Sequence, residues 1–525
     1  MKSRLAVEQA TAALRAGNRG DAEWSLRRHL VEQPQDGAAI AKLAEIVLDE
    51  GRVEEATILL RRAAVAEPTP ERQMALINHL QMYVGAEPVL AEIEALPQPF
   101  RDSFDIRMIE AGMHGHLGDH ARQIAIYERL AGGNPGDYAL WKRLGDTLKT
   151  VGRTEEAVAA LRRSIEINPN FGEGWWTLAN FKSFPFTDKH VAAMRKALRG
   201  RLSDVDALHF HFALGQAFED RRQFAKSFQH YDAANALRRK SIRPEWTRIT
   251  GYVDRAIATY TPELFDRHEG AGCLQTGPIF VLGLHRSGST LVEQILGSHP
   301  MIESTTEITV MHQLWERIAR TRITSTSGPF AELQGFDASD FAAIGEEYLD
   351  RAAAFRTAGR PWFVDKLPAN WMYAGLIRLA LPNARIVDAR RHPLACGFSN
   401  FRQNYGSGIY FSYSLETIGA FYRDYWRFMS HVDAVQPGAV HRVINERLID
   451  DPEGEARRLL DFIGVPFDPA CLEFHKSGRA IGTPSAEQVR KGIRREGIDQ
   501  WRNYEPWLGP LKDALGEALD KWDQA

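Results

Sequence analysis

The stretch PIFVLGLHRSGSTLVEQIL, residues 278–296, decides the fold of the second half of this chain. Its apolar run from Ile279 to Gly283 predicts a buried strand. A short turn leads to Ser289 and Thr290, where an apolar pattern with helical spacing begins. A strand, a glycine-bearing loop and a helix N-terminus in this order form an anion cradle, because loop N–H groups and the helix dipole converge on one point. The stretch therefore predicts a phosphate site.

The loop nearly matches the pattern that binds the phosphates of ATP. Gly283 and Gly288 are five residues apart, as in G-x-x-x-x-G-K-[ST], but Ser289 occupies the position of the lysine. The nearest cation is Arg286, inside the loop. A kinase or ATPase needs the lysine on the phosphates and a hydroxyl on magnesium. A phosphate ligand is thus expected, and a P-loop kinase is the weaker alternative.

Length and composition describe an ordinary multidomain protein. The chain has 525 residues, 44% of them hydrophobic and 25% charged, with a formal net charge of −3. This balance predicts no nucleic acid or anionic membrane as a partner. Three scattered cysteines, Cys273, Cys396 and Cys471, show neither a disulfide framework nor a zinc spacing. The N-terminus lacks a signal-peptide core and no long apolar run occurs, so we expect a cytoplasmic protein without a membrane span.

The first half of the chain repeats itself every 34 residues, from residue 2 to about 238. Each period contains two amphipathic helical patterns, and about seven units can be counted. The spacing resembles that of tetratricopeptide repeats. The resemblance implies an α-solenoid over residues 1–240, which holds a peptide or protein partner or instead serves as a packing or dimerisation scaffold. Positions that keep the interval are Gly17 and Gly51, Gly118 and Gly152, Pro34 and Pro68, Pro135 and Pro169, and Trp141 and Trp175.

The second half has alternating strand and helix patterns. After a predicted helical linker at 241–275, further strands are predicted at 363–365, 384–389 and 440–444. Alternation of this kind indicates a parallel sheet, which binds its ligand at the carboxyl ends of the strands. The expected fold is thus an α-solenoid followed by an α/β domain, residues 276–525, with a parallel P-loop-type sheet.

Three cations follow the predicted strands: Arg286, Lys366 and Arg391. Because the carboxyl ends of parallel strands lie at one edge, these side chains are expected to face the same crevice. A single cation is usually solvated surface, whereas three at corresponding positions predict a ligand with more than one anionic group.

At these residues the chain resembles the sulfotransferases that use 3′-phosphoadenosine-5′-phosphosulfate (PAPS), and most closely the tyrosylprotein sulfotransferases. The resemblance covers roughly residues 275 to 520. It implies that the loop holds the 5′-phosphosulfate, that Arg391 and Ser399 hold the 3′-phosphate, and that Ser485 and Trp501 complete the nucleotide site. The loop residues concerned are His285, Arg286, Ser287, Gly288, Ser289 and Thr290.

The resemblance also implies catalytic roles. Sulfuryl transfer is an in-line displacement, analogous to phosphoryl transfer, and it needs cations on the transferring group and a base for the acceptor proton. Glu307 matches the position of the base, with Glu303 as the competing candidate. Arg286 and Lys366 are expected to contact the sulfuryl group and Ser485 the bridging oxygen. PAPS is then the cosubstrate, and no metal is required.

The acceptor is left open at this point. The arginine that the tyrosine branch carries two residues after its glutamate is here Thr309, which weakens the case for tyrosine. One hypothesis is sulfation of tyrosine or another hydroxyl on a peptide or protein held partly by the repeats. The alternatives are sulfation of a carbohydrate or small alcohol, and a non-catalytic repeat scaffold. The repeats would also allow the chain to form a homodimer.

Overall fold

The structure is a computed structural model of the full chain. It describes residues 2–181, 184–242, 248–305, 307–321, 329–405, 408–476, 492–493 and 495–524. The chain divides into two compact units, Met1–Ala160 and Leu161–Ala525. The domain limits at residues 240 and 275 stay predictions.

Paired helices occupy the repeat region, as predicted. Within the described residues the helices follow one another as seven successive pairs, and the short α7 lies between the third pair and the fourth. The sixth pair is interrupted, since its first helix ends at Ala179 and its second begins only at Asp188. The helices are α1 Lys2–Arg15, α2 Arg19–Glu32, α3 Gly37–Asp49, α4 Val53–Ala66, α5 Pro70–Tyr83, α6 Ala86–Ala95, α7 Gln98–Arg101, α8 Phe104–His116, α9 His120–Gly133, α10 Tyr138–Val151, α11 Thr154–Ile167, α12 Gly172–Ala179, α13 Asp188–Leu198, α14 Asp204–Asp220 and α15 Phe224–Lys240.

The residues that recur every 34 positions have recurring structural roles. Trp141 Nε1 donates to the carbonyl of Pro135 at 3.2 Å, and Trp175 Nε1 donates to that of Pro169 at 3.1 Å. The repeated glycines end the first helix of a pair in the left-handed region, which glycine adopts without steric cost. Their φ values are +81° at Gly17, +78° at Gly51, +76° at Gly118 and +85° at Gly152.

A parallel sheet forms the centre of the second unit, and within the described residues it has five strands in the order β2-β3-β1-β4-β5. Four of them were predicted. The three-residue strand β2 was not, because it is too short to show a periodic pattern; it pairs with β3 at the sheet edge. The strands are β1 Pro278–Gly283, β2 Ile302–Ser304, β3 Trp362–Lys366, β4 Arg385–Arg390 and β5 Val440–Ile444.

Helices cover this sheet, and its buried aliphatic side chains form one core with those of the flanking helices. Asp451 caps the start of the helix Pro452–Ile463, and Gly464 ends it at a φ of +92°. These helices are α16 Arg248–Thr259, α17 Pro262–Arg267, α18 Ser289–Gly297, α19 Val310–Thr321, α20 Pro329–Gln334, α21 Ala338–Ala353, α22 Ala374–Ala380, α23 Pro393–Phe401, α24 Leu415–Val435, α25 Asn445–Asp450, α26 Pro452–Ile463, α27 Gly509–Leu515 and α28 Ala518–Lys521.

The last repeat pair, α14 and α15, packs directly against the elements around the sheet. Asn235 Nδ2 donates to the carbonyl of Phe401 at 2.8 Å, and both the donor side chain and its helix face are buried. Ser227 Oγ lies 2.9 Å from the hydroxyl of Tyr504. The final repeat and the α/β elements therefore share a polar, buried contact.

Gly283 allows β1 to end close against β4. Its φ is +135°, and an added Cβ would lie 2.3 Å from the carbonyl oxygen of Ala389.

We predict that Gly283→Ala lowers the free energy of unfolding by about 2–4 kcal/mol, because both backbone strain and overlap arise. Urea unfolding followed by tryptophan fluorescence measures the change. Gly509→Ala is the matched control, since its Cβ meets nothing within 4 Å; equal unfolding midpoints for the two variants would contradict the prediction.

Candidate functional site

The loop between β1 and α18 is held by close backbone packing. Gly288, the residue before α18, has a φ of +104°, and a Cβ there would lie 2.5 Å from Asn445 Oδ1. Arg286 also adopts a positive φ, +69°, which is uncommon for a residue with a side chain. Such strained positions persist only where surrounding contacts hold them, and they cluster at ligand sites. The conformation of this loop is thus consistent with the predicted anion cradle.

Arg286 and Arg391 meet at the carboxyl ends of neighbouring strands, as predicted. The Arg286 Nε donates to Ser399 Oγ at 3.0 Å. The Arg391 guanidinium donates from Nη1 to the carbonyl of Arg286 at 3.3 Å and from Nη2 to the carbonyl of Gly497 at 2.5 Å. These bonds connect the loop after β1 with the segment after β4. The two predicted phosphate sites are therefore contiguous.

These residues line an open cleft with about 300 Å³ of space. Trp501 contributes one wall and stacks on His392, with ring centroids 5.0 Å apart and an interplanar angle of 12°. A wall of this kind suits a planar or apolar ligand group beside the anions. The lining residues are Arg286, Arg391, Ala395, Phe398, Ser399, Arg402, Gly497, Gln500 and Trp501.

The cleft is cationic despite its burial. Burial lowers the pKa of Arg286 to about 10, and burial likewise lowers the pKa of Arg391. At neutral pH Arg286 is still protonated by a wide margin. Within the described residues, Arg391 Nε and the buried Ser287 Oγ have no hydrogen-bond partner. Buried cations and unsatisfied polar groups are stabilised by an anionic ligand, because it supplies both charge and acceptors.

His285 is partly buried beside this cleft, and its lowered pKa leaves it uncharged at neutral pH. Burial is the main reason that its pKa falls to about 4; Lys366 and Arg286 lower it further, while Glu307 opposes them. Its carbonyl accepts from Asn400 Nδ2 at 2.8 Å. His285 therefore contributes its backbone and ring to the shape of the loop rather than a cationic contact.

Lys366 and Glu307 form an ion pair at the carboxyl end of β3. The Lys366 side chain is almost fully buried, whereas half of the Glu307 side chain is exposed. Lys366 Nζ also lies 3.9 Å from Glu293 Oε2. A buried lysine beside an accessible carboxylate is an arrangement that can serve both a transferring anion and an incoming hydroxyl.

Glu303, the competing candidate for the base, has other partners. Its carboxylate accepts from Arg356 Nε at 2.7 Å and from the backbone N–H of Ala358 at 2.7 Å. The side chain is buried, and these hydrogen bonds lower its pKa against the effect of burial. Both oxygens of Glu303 are thereby occupied in structural contacts, whereas half of the Glu307 side chain is exposed.

The predicted site residues and the residues that line the cleft are not the same set. Ser485 lies outside the described residues, so its role stays a prediction. Lys366 is the last residue of β3; it contacts Glu307 and is not among the residues that line the cleft. Sequence reasoning missed Arg402 and Gln500. Arg402 could have been found, because it lies three residues after Ser399, at the C-cap of α23.

Within the described ranges, no group of three His, Cys, Asp or Glu side chains could hold a metal ion. Nor does any helix in that part of the chain have the length and apolarity to cross a bilayer.

Comparisons with known proteins agree with the division of the chain into a repeat region and an α/β domain. Residues 278–469 match the model of a sulfotransferase family, while residues 7–70 and 138–171 match tetratricopeptide-repeat models. The chain thus combines tetratricopeptide repeats with a sulfotransferase-family domain. The family match supports an enzyme and sulfuryl transfer in general.

Three known proteins are similar to this chain. A protein of Aquifex aeolicus described as "Uncharacterized protein" is 29% identical over 96% of this chain and 68% of its own length. A Caenorhabditis briggsae protein named "Putative protein-tyrosine sulfotransferase" is 25% identical over 42% of this chain and 80% of its own. The sulfotransferase domain of the Synechococcus PCC 7002 olefin synthase is 26% identical over 44% of this chain and 88% of its own, with a TM-score of 0.31.

Asp365, the neighbour of Lys366, is a buried carboxyl group at the end of β3. It accepts from the hydroxyl of Tyr348 at 2.7 Å and from Asn370 Nδ2 at 3.2 Å. Burial raises its pKa from 3.8 to about 7, against the opposing effect of these hydrogen bonds and of Lys366. The folded state therefore binds a proton that the unfolded state has lost at intermediate pH, and stability from this group falls as pH rises from about 4 to 7.

We predict that Asp365→Asn removes this dependence. Between pH 5 and pH 8 the wild type should lose about 1–3 kcal/mol more stability than the variant. Thermal unfolding at several pH values measures the difference. Tyr348→Phe is the companion variant: with one hydrogen bond fewer the pKa of Asp365 rises, so its transition should move to higher pH. An Asp365→Asn protein with the wild-type pH profile would refute the assignment.

Proposed function

We propose that this protein transfers a sulfuryl group from PAPS to a hydroxyl group of a peptide or protein. The observation that carries the proposal is the contiguous cationic cleft formed by Arg286, Ser399 and Arg391. It suits a ligand with two separate anionic groups, which is the character of PAPS. The Lys366–Glu307 pair at the end of β3 supplies the remaining chemistry.

In this proposal the nucleotide binds across the ends of β1 and β4. The loop residues, with Arg286 among them, hold the 5′-phosphosulfate. Arg391 and Ser399 hold the 3′-phosphate, and Trp501 bounds the cleft beside them. The close packing at Gly288 supports this role, because a side chain there would displace the loop. Ser485 is proposed to complete the site on the strength of the resemblance alone.

The reaction is a displacement at sulfur. The acceptor oxygen forms a bond to sulfur while the bond from sulfur to the bridging oxygen breaks, and the electron pair leaves with the 5′-phosphate as adenosine 3′,5′-bisphosphate. The acceptor proton passes to Glu307, whose side chain is accessible. Lys366 and Arg286 stabilise charge on the sulfuryl and bridging oxygens. This chemistry needs no metal, because the cations of the chain neutralise the developing charge.

A peptide or protein acceptor, with tyrosine as one candidate side chain, is supported by two features. The chain carries tetratricopeptide repeats, which suggest an interaction with another protein. A relative that covers 42% of the chain bears the name of a protein-tyrosine sulfotransferase. One observation favours a second candidate, sulfation of a carbohydrate or small alcohol: Thr309 stands where the tyrosine branch has an arginine.

The nucleotide site can be tested by direct binding. We predict that adenosine 3′,5′-bisphosphate binds the wild type, and that Arg391→Ala weakens binding about 10- to 100-fold, because a charge-assisted contact to phosphate is lost. Isothermal titration measures both affinities. Arg457→Ala is the control for a lost positive charge, since this arginine is half exposed on α26 and pairs with Glu453. A protein that binds ATP but not the bisphosphate would overturn the proposal.

The base can be tested by turnover. We predict that Glu307→Gln lowers kcat by about 10²- to 10⁴-fold while the affinity for adenosine 3′,5′-bisphosphate is kept, since only proton transfer is impaired. Transfer of the ³⁵S label from PAPS to tyrosine peptides, glycans or small alcohols measures turnover and identifies the acceptor class. Substantial activity in Glu307→Gln would contradict the assignment of the base. Label found only in glycans or small alcohols would contradict a protein acceptor.

A further inference from the structure

Glu219 is a buried carboxylate in the last repeat, at the end of α14. Its carboxylate accepts hydrogen bonds from four side chains. One oxygen accepts from Arg402 and from Gln500. The other accepts from the hydroxyls of Tyr231 and Tyr504, each at 3.0 Å. All lone-pair positions of this group are thus in use, and its orientation is determined from both sides.

Two of these partners belong to the cationic cleft. Arg402 and Gln500 line it together with Arg286 and Arg391, whereas Glu219 itself does not. Glu219 therefore acts on the cleft through other residues. Tyr504 extends the connection, because its hydroxyl also lies 2.9 Å from Ser227 Oγ on α15.

The cleft needs such a contact for electrostatic reasons. Arg286, Arg391 and Arg402 are like charges that line one cleft and are partly buried, and beside burial Arg402 contributes to the lowered pKa of both other arginines. Repulsion of this kind favours displacement of one side chain into solvent. The Arg402 side chain is only 11% exposed and its partner Glu219 only 4%. A buried carboxylate that bonds one edge of the guanidinium offsets the repulsion and leaves its other N–H groups available to the cleft.

We infer that Glu219 is a positioning residue of the nucleotide site: it holds Arg402 and Gln500 where they contact the 3′-phosphate end of the nucleotide. The last tetratricopeptide repeat is then a structural part of that site, in addition to any role in binding an acceptor. This inference rests on the proposed function. No sequence pattern identified Glu219, because its partners lie 183 and 281 residues away along the chain.

The test compares two nucleotides on the full-length protein. Affinities of adenosine 3′,5′-bisphosphate and of 5′-AMP are measured by isothermal titration, and their ratio reports recognition of the 3′-phosphate. In Glu219→Ala this ratio should fall about tenfold, while 5′-AMP binding is unchanged. With labelled PAPS, the KM for PAPS should rise and kcat at saturation should stay near the wild-type value. Glu219→Ala added to Arg402→Ala should lower the ratio less than it does in the wild type, because only the contact of Glu219 with Gln500 is then left to lose.

Two further variants separate positioning from folding. Glu219→Asp keeps the charge but shortens the side chain. The ratio of the two nucleotide affinities should therefore fall here too, without a general loss of stability. Asn235→Ala is the matched control: it removes a buried bond between the same repeat pair and the carbonyl of Phe401 and should leave the nucleotide ratio unchanged. Circular dichroism and thermal unfolding without nucleotide establish that each variant is folded.

The outcomes are distinct. If the wild type does not bind adenosine 3′,5′-bisphosphate, the proposed function fails and this inference fails with it. If the wild type binds the bisphosphate but folded Glu219→Ala and Glu219→Asp keep its nucleotide ratio, only the inference is overturned. It is likewise overturned if Asn235→Ala lowers the ratio as much as Glu219→Ala, or if the effects of Glu219→Ala and Arg402→Ala are additive.

Discussion

Repulsion among Arg286, Arg391 and Arg402 is the constraint on which the C-terminal unit depends. Three partly buried guanidinium groups share one cleft, and burial lowers the pKa of the first two. Each is held in place by acceptors that the fold supplies: Ser399 Oγ, the carbonyls of Arg286 and Gly497, and the carboxylate of Glu219. The protein thus maintains a concentration of positive charge that a dianionic ligand would stabilise.

Close packing of the backbone allows these positive charges to lie near one another. β1 and β4 are adjacent parallel strands, and Gly283 at the end of β1 pairs with Ala389 near the end of β4. The segments that follow the two strands therefore start side by side at one edge of the sheet. Only glycine can occupy that position, because any Cβ would overlap the carbonyl of Ala389. Gly288 has a similar relation to Asn445 at the start of α25. The approach of these backbones brings Arg286 and Arg391 within reach of one ligand.

The repeats and the sulfotransferase-family domain are more closely connected than their separate sequence patterns indicate. The last helix pair places Glu219, Ser227 and Asn235 against side chains and carbonyls of the α/β elements. Buried polar contacts of this kind are costly to leave unsatisfied, so they hold the last helix pair against the α/β elements. An association between the final repeat and the cleft follows from the positions of these groups rather than from any motif.

Sequence alone determined the local patterns. The 34-residue period, the strand–loop–helix at residues 278–296 and the apolar strand patterns depend on neighbours in the chain, and they correctly predicted paired helices and four of the five strands within the described residues. Only the tertiary structure decided which groups meet. It assigned Glu303 to Arg356, paired Lys366 with Glu307, added Arg402 and Gln500 to the cleft, and joined both to Glu219. Such contacts join residues tens to hundreds of positions apart, where hydrophobic periodicity and motif spacing contain no information, and they exist only once burial has made an unpaired charge costly.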